Sequence, residues 1–263
     1  MLSWNKQLPE CPDPMPQNSP LDLPPGFSAV TLRESGDAFA HAKAIALEAG
    51  AGTLVWVRRY DLLEFAVVLE PDEPLVSARR AHFAAMSAMA DALAAHCPPE
   101  RQVEFIWPDA ILFDGGLVGG LRLGWPQDCA EDAVPDWLVT GVMLRTADLS
   151  HVETGMVPGA VSLTSEGFEM IETEALIGSF ARHLMTHFDR WKERGFKVVA
   201  QDFFARLPKG KAGERRAIDG NGDLLIHAPL DSGPAERTPL VPALLAATWY
   251  DAGNDAPKLQ AIP

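Results

Sequence analysis

The chain has 263 residues, 47% of them hydrophobic, with a formal net charge of −14 and a pI near 4.8. That length and composition suffice for one sizeable core, alone or with a small appendage. The acidic balance excludes binding to a nucleic-acid backbone or an anionic membrane, since both need concentrated Lys and Arg.

Cys11, Cys97 and Cys129 are widely spaced with no CxxC pair, so neither a disulfide framework nor a zinc site is expected. The first twenty residues hold no apolar run of signal-peptide length, and no segment reaches transmembrane length. The expectation is a cytoplasmic protein.

Residues 1–25 hold seven prolines, which exclude a helix interior or a central strand and predict an extended arm. Such an arm can pack along the domain or exchange with a neighbour to make an oligomer. Order is expected from Phe27. Asp37 is placed to cap a helix through AFAHAKAIALEA, and Gly50 to end it. TLVWV (53–57) and LEFAVVL (63–69) read as strands joined by a hairpin. Pro74 starts a helix whose apolar residues run from Val76 to Leu93, and Pro98-Pro99 stops it.

VEFIW (103–107), AILF (110–113) and LVGGLRL (117–123) are three more strands, with a tight turn at Asp114-Gly115-Gly116. PDWLVTGVMLRT adds another strand. A long helix from Glu172 to Arg194 presents Ile177, Phe180, Leu184, Phe188 and Trp191 on one face, closed by Gly195. After it, FKVVAQDFFARL, GERRAID and DLLIHAP read as short strands, with Asn221-Gly222 as a hairpin turn. The fold expected is α+β: a mixed sheet with helices over 26–195, then a small β-barrel-like domain over 196–263.

This order of elements resembles the biotin/lipoate–protein ligase family. Ile106-Trp107-Pro108-Asp109-Ala110 stands where the family has KWPND, and Gly116-Leu117-Val118-Gly119-Gly120-Leu121 where it has KLAGIL. GTLVWVRR and the next strand stand at the GRGRRGRxW loop and the strand after it, and WLVTGVMLRT near GIGINVN. The resemblance covers roughly Phe27 to Pro229. It implies ATP, biotin or lipoate as ligands, an acyl-carrier domain as partner, and activation of a carboxylate to an acyl-adenylate.

Several polar residues of the pattern are replaced. Gly116 stands for the lysine that contacts carboxylate and phosphates, Asp109 for the asparagine of WPND, Ala110 for its aspartate, and Ile106 for the first lysine. Ala49, Ala51, Gly52 and Leu54 align with the loop arginines. One lost donor of this kind costs about 3–4 kcal/mol of transition-state stabilisation. The expectation is a family-like protein with a degenerate site that binds a small carboxylate or acyl ligand. The alternatives are an active ligase or acyltransferase of altered specificity, or a non-catalytic interaction protein.

The ligand-binding residues expected are Trp56, Arg58, Arg59, Trp107, Asp109, Gly116, Gly119 and Gly120. Trp56, Trp107, Asp109, Gly119 and Gly120 would line a concave pocket. Arg58, Arg59 and Arg122 are the nearest replacement cations, and strand alternation lets only one of Arg58 and Arg59 point inward. Each has a plainer reading: Trp107 as core packing, the glycine pair as a bulge, Asp109 as a turn residue, and the arginines as a solvated pair. His183 and His187 are four apart on a helix, yet without the HExxH glutamate a packed or solvated role is favoured. Asp219 to Asp223 imitates a calcium loop but lacks its later ligands.

Overall fold

The computed structural model describes residues 21–33, 36–98, 101–147, 161–168, 173–229 and 233–259. Seven strands form one sheet in the order β1-β2-β3-β7-β6-β5-β4. They are β1 (Ser28–Arg33), β2 (Thr53–Arg58), β3 (Leu62–Leu69), β4 (Val103–Ile106), β5 (Ala110–Phe113), β6 (Gly116–Gly124) and β7 (Leu138–Arg145). β1 runs parallel to β2, and every other pairing is antiparallel. This mixed sheet with helices is the α+β core that the sequence predicts.

β2 and β3 are apolar at nearly every position because both faces of the sheet are covered. Leu54 and Trp56 point to one face, Val55 and Val57 to the other. The first face carries α3 (Ala81–His96), α4 (Thr173–Arg194) and α5 (Phe196–Phe204). Here Phe65 meets Phe180 edge-on with ring centres 4.9 Å apart, and Phe203 lies between Phe83 (4.8 Å) and Phe105 (5.1 Å). Each such buried phenylalanine contributes roughly 1.5–3 kcal/mol.

The second face carries α1 (Ala38–Ala49), whose Ala38, Phe39, Ala42 and Ala46 pack on Val55, Val57, Ala66 and Val68. Asp37 caps it by accepting the Ala40 N–H at 2.9 Å, and Gly50 ends it at φ 76°.

The helix expected from Val76 to Leu93 is two. α2 (Leu75–Ala78) and α3 are separated at Arg79 and Arg80, where His82 and Phe83 bond back three residues instead of four. There the Arg79 guanidinium turns away to clasp Glu131 through bonds of 2.6 and 2.7 Å.

The stretch FKVVAQDFFARL, expected as a strand, is helix α5. Its buried Val199, Ala200 and Phe203 follow helical spacing, which prevails over the β-branched Val198-Val199 pair.

After α5, β8 (Arg215–Ile218), β9 (Leu224–His227) and β10 (Glu236–Thr238) form a three-stranded antiparallel sheet, with the Asn221-Gly222 turn between β8 and β9. This sheet does not close on itself, so the barrel-like arrangement is an open meander. α6 (Leu240–Ala246) and a hairpin of β11 (Tyr250–Asp251) and β12 (Ala256–Pro257) follow.

Of the proline-rich arm, Pro9, Pro12, Pro14, Pro16 and Pro20 lie outside the described residues. Leu21 and Leu23 pack on the core, and the Asp22 carbonyl accepts Arg182 on α4 at 3.1 Å.

Candidate functional site

A group of buried and half-buried polar side chains lies on the α1 face of the sheet. Glu64, in the middle of apolar β3, is 1% exposed, and its Oε1 accepts the Ala38 N–H at 2.8 Å, at the first turn of α1. Burial pushes its carboxyl above the ordinary range, against the pull of that backbone bond. Arg59, in the β2–β3 turn, forks onto Asp61 at 2.7 and 2.6 Å and reaches Glu64 at 3.6 Å. On β6, Arg122 reaches Asp37 at 3.3 Å, with its guanidinium over the rings of Phe39 (4.6 Å) and Tyr250 (4.7 Å). The Tyr250 hydroxyl donates to Asp255 at 2.5 Å, and burial with that bond holds its pKa at about 12.

Asp109 sits deeper. It is 1% exposed, and among the described residues neither carboxylate oxygen has a hydrogen-bond partner. Burial pushes its pKa up to about 7. The indole N–H of Trp249 faces it and offsets part of that rise without reaching hydrogen-bond geometry. Trp249 is fully buried and lies on Gly120, where an added Cβ would be 2.5 Å from the indole and 2.3 Å from the Asp109 carbonyl. Leu62, Ala110, Leu117 and Met143 complete this niche.

Asp109 follows a cis Trp107–Pro108 bond that turns the chain from β4 into β5. His82 on α3 contacts the Pro108 carbonyl at 3.2 Å. Burial lowers the His82 pKa to about 4, so its ring is neutral and donates that bond.

The eight expected site residues are not gathered into one concavity. Trp56 and Trp107 belong to the helix-covered face, where Trp107 stacks on Phe83 (5.4 Å) and meets Phe203 edge-on (5.8 Å). Asp109 and Gly120 face the opposite side, under Trp249. Gly119 serves strand packing, since an added Cβ would lie 2.1 Å from the Met143 carbonyl, and its φ is 153°.

At Gly116 an added Cβ would be 2.4 Å from the Val161 side chain, which would have to shift to admit any larger residue. Of the arginine pair, Arg59 turns to the Glu64 side, while Arg58 is exposed with its guanidinium 5.8 Å from the Trp56 ring. Ala49, Ala51, Gly52 and Leu54 sit at the α1–β2 connection, at the end of β2 remote from Arg59.

Sequence reasoning missed Glu64 and Trp249. An acid inside the run LLEFAVVL was the available signal for the first, because acids are seldom fully buried. Trp249 had only its aromatic character.

His183 and His187 join a charge network instead of a metal site. His187, 1% exposed, lies 2.8 Å from Asp91 and 3.5 Å from Asp202, and Arg206 and Arg190 pair with the same two carboxylates. In the Asp219 turn, the side chain accepts the N–H groups of Asn221 and Asp223, as in a hairpin. Among the described residues no His, Cys, Asp or Glu cluster is arranged to hold a metal ion. None of their helices is long and apolar enough to cross a membrane.

Residues 23–205 match the model of the biotin/lipoate A/B protein ligase family. The chain belongs to this family. It is 26% identical over 228 residues to a biotin–[acetyl-CoA-carboxylase] ligase of Paracoccus denitrificans, spanning 80% of this chain and 89% of the relative. A biotin protein ligase-like protein of unknown function from Silicibacter sp. TM1040 superposes with a TM-score of 0.72 at 26% identity, covering 85% of this chain and 99% of the other. Biotin protein ligase from Aquifex aeolicus shares the fold, with a TM-score of 0.61 at 15% identity over 82% of this chain and 97% of that one.

In this family member only residues 59–61 link β2 to β3, Arg59 pairs with Asp61, and Arg122 reaches Asp37.

Proposed function

We propose that this protein is a non-catalytic member of the biotin/lipoate ligase family that binds a small acyl ligand on the α1 face without activating it. The observation that carries this reading is Gly116 under Val161. The lysine that the resemblance implies is absent, and the glycine in its place is paired with Phe113 and faces Val161 on the helix-packed side, so it offers no cation to the α1 face. Loss of one such fixed charge costs about 3–4 kcal/mol of transition-state stabilisation.

The apolar body of a ligand would lie along Leu62, Leu117 and Met143, with its carboxylate toward Arg59 or Arg122. An acylated carrier domain is the corresponding macromolecular partner, and the thiols Cys97 and Cys129, both free, suit a cytoplasmic location. The 26% identity with a biotin ligase favours the second reading, an acyltransferase of altered specificity.

Titration calorimetry with biotin, lipoate, octanoate and ATP tests the proposal. Binding of an acyl compound without binding of ATP is expected. Tight ATP binding, or no binding of any acyl compound, would overturn it.

A further inference from the structure

The niche above Asp109 and Gly120 is occupied by the chain itself. Trp249 is fully buried there, and the segment that follows it, Tyr250 to Pro257, is a hairpin folded on its own backbone. β11 and β12 form a separate two-stranded sheet, so they are laid on the large sheet and are not paired into it. Lys258 N–H to the Trp249 carbonyl (2.8 Å) and Tyr250 N–H to the Ala247 carbonyl (2.9 Å) close the hairpin locally. Arg145 donates to the Pro257 carbonyl at 2.6 Å, and Arg122 stacks on Tyr250. Just before the hairpin, Ala247 holds φ 38°, a left-handed conformation that costs a non-glycine residue energy. Between the buried Trp249 and Pro257, Ala252, Gly253 and Asn254 are exposed, so the middle of this hairpin strap buries little, a feature of the low-stability parts of a fold.

What the strap covers is chemically unfinished. Asp109 keeps both oxygens without a hydrogen bond at 1% exposure, and the Trp249 Nε1–H opposite is likewise unpaired among the described residues. Buried polar groups are ordinarily paired, so two facing each other unpaired mark a fit that another occupant can better. Gly120 leaves open the plane on which a flat ring rests, and Leu62, Leu117 and Met143 supply apolar walls.

We propose that the segment Trp249–Pro257 is a displaceable strap whose indole holds the place of a ligand, namely a planar ring that donates N–H to Asp109. This inference rests on the reading of the α1 face as an acyl-ligand site and adds the ligand's ring chemistry and the gate. The carboxylate of the ligand would then meet Arg122, freed from Tyr250 when the strap leaves.

The test uses the full chain, with biotin as a cyclic-urea probe and octanoate as a probe without N–H donors. Calorimetry compares wild type with Trp249→Ala, and circular dichroism checks that the variant is folded. Biotin binding at least tenfold tighter in the variant is expected, with a clearly smaller change for octanoate. In the wild type, hydrogen exchange should show the Tyr250 and Lys258 amides exchanging at least a hundredfold faster than those of β6 and β7, and faster still with biotin bound.

Equal protection of strap and sheet amides would overturn the strap, even if Trp249→Ala fails to fold. Biotin bound equally by both chains would overturn the assignment of the niche while leaving the acyl-binding reading intact. Failure of both chains to bind either probe would overturn the acyl-binding reading, and the niche assignment with it.

Discussion

Asp109→Asn should stabilise the protein at alkaline pH and do little in acid. In the folded chain Asp109 has a pKa of about 7 against its usual 3.8, because burial penalises its charged form. The folded state therefore holds a proton that the unfolded state has released between these two values, and stability falls as pH rises through that window. At roughly 1.4 kcal/mol per pH unit, the fall between pH 5 and 7 comes to roughly 3 kcal/mol, and it ends once the folded group has ionised.

Asparagine has the same shape and no charge to bury, so the variant escapes this loss. His82 acts in the opposite sense. Its pKa is lowered to about 4 from the usual 6.5, so its contribution is lost as pH falls through that range. A pH profile of the wild type alone would mix the two, whereas the difference between variant and wild type cancels His82. Urea unfolding of both proteins at pH 5 and pH 8 measures it. The advantage of the variant should grow by roughly 3 kcal/mol between these pH values. Growth of less than about 1 kcal/mol would show that Asp109 is hydrated or paired, and the description of the niche would be refuted.

Four further substitutions probe the two faces of the sheet. Gly116→Lys should not install a working lysine and should destabilise by about 1–3 kcal/mol through overpacking against Val161; thermal unfolding reads the loss, and an unchanged midpoint would contradict the closed space. Glu64→Ala should cost about 1–3 kcal/mol by leaving the buried Ala38 N–H without its acceptor; denaturant unfolding at neutral pH checks it. Arg59→Ala should weaken binding of any acyl anion found by calorimetry by about 1.5–3 kcal/mol, and Arg58→Ala much less, because only Arg59 turns to the Glu64 side; equal effects would place the anion elsewhere.

Much of the core was legible because its signals are local. Asp37 and Gly50 bound α1, the Asp114-Gly115 turn joins β5 to β6, and alternation along β2 divides Leu54 and Trp56 from Val55 and Val57. The helix α5 was misread because Val198-Val199 favours a strand locally, while packing of Phe203 between Phe83 and Phe105 favours the helix.

The site was harder, since sequence neighbours part company in space. Trp107 and Asp109 are two residues apart but lie on opposite faces across the cis bond. Trp249, 140 positions from Asp109, covers it. No periodicity announces a contact of that sequence separation.

Release of pyrophosphate from ATP tests the central claim most directly. The purified full chain would be incubated with ATP and either biotin or lipoate, with an acceptor carrier domain present. Release no faster than in the absence of protein is predicted, because Gly116 stands where the resemblance places the phosphate-contacting lysine and supplies no charge. Turnover on the order of 1 per second with either acid would contradict the account and make the protein a working ligase.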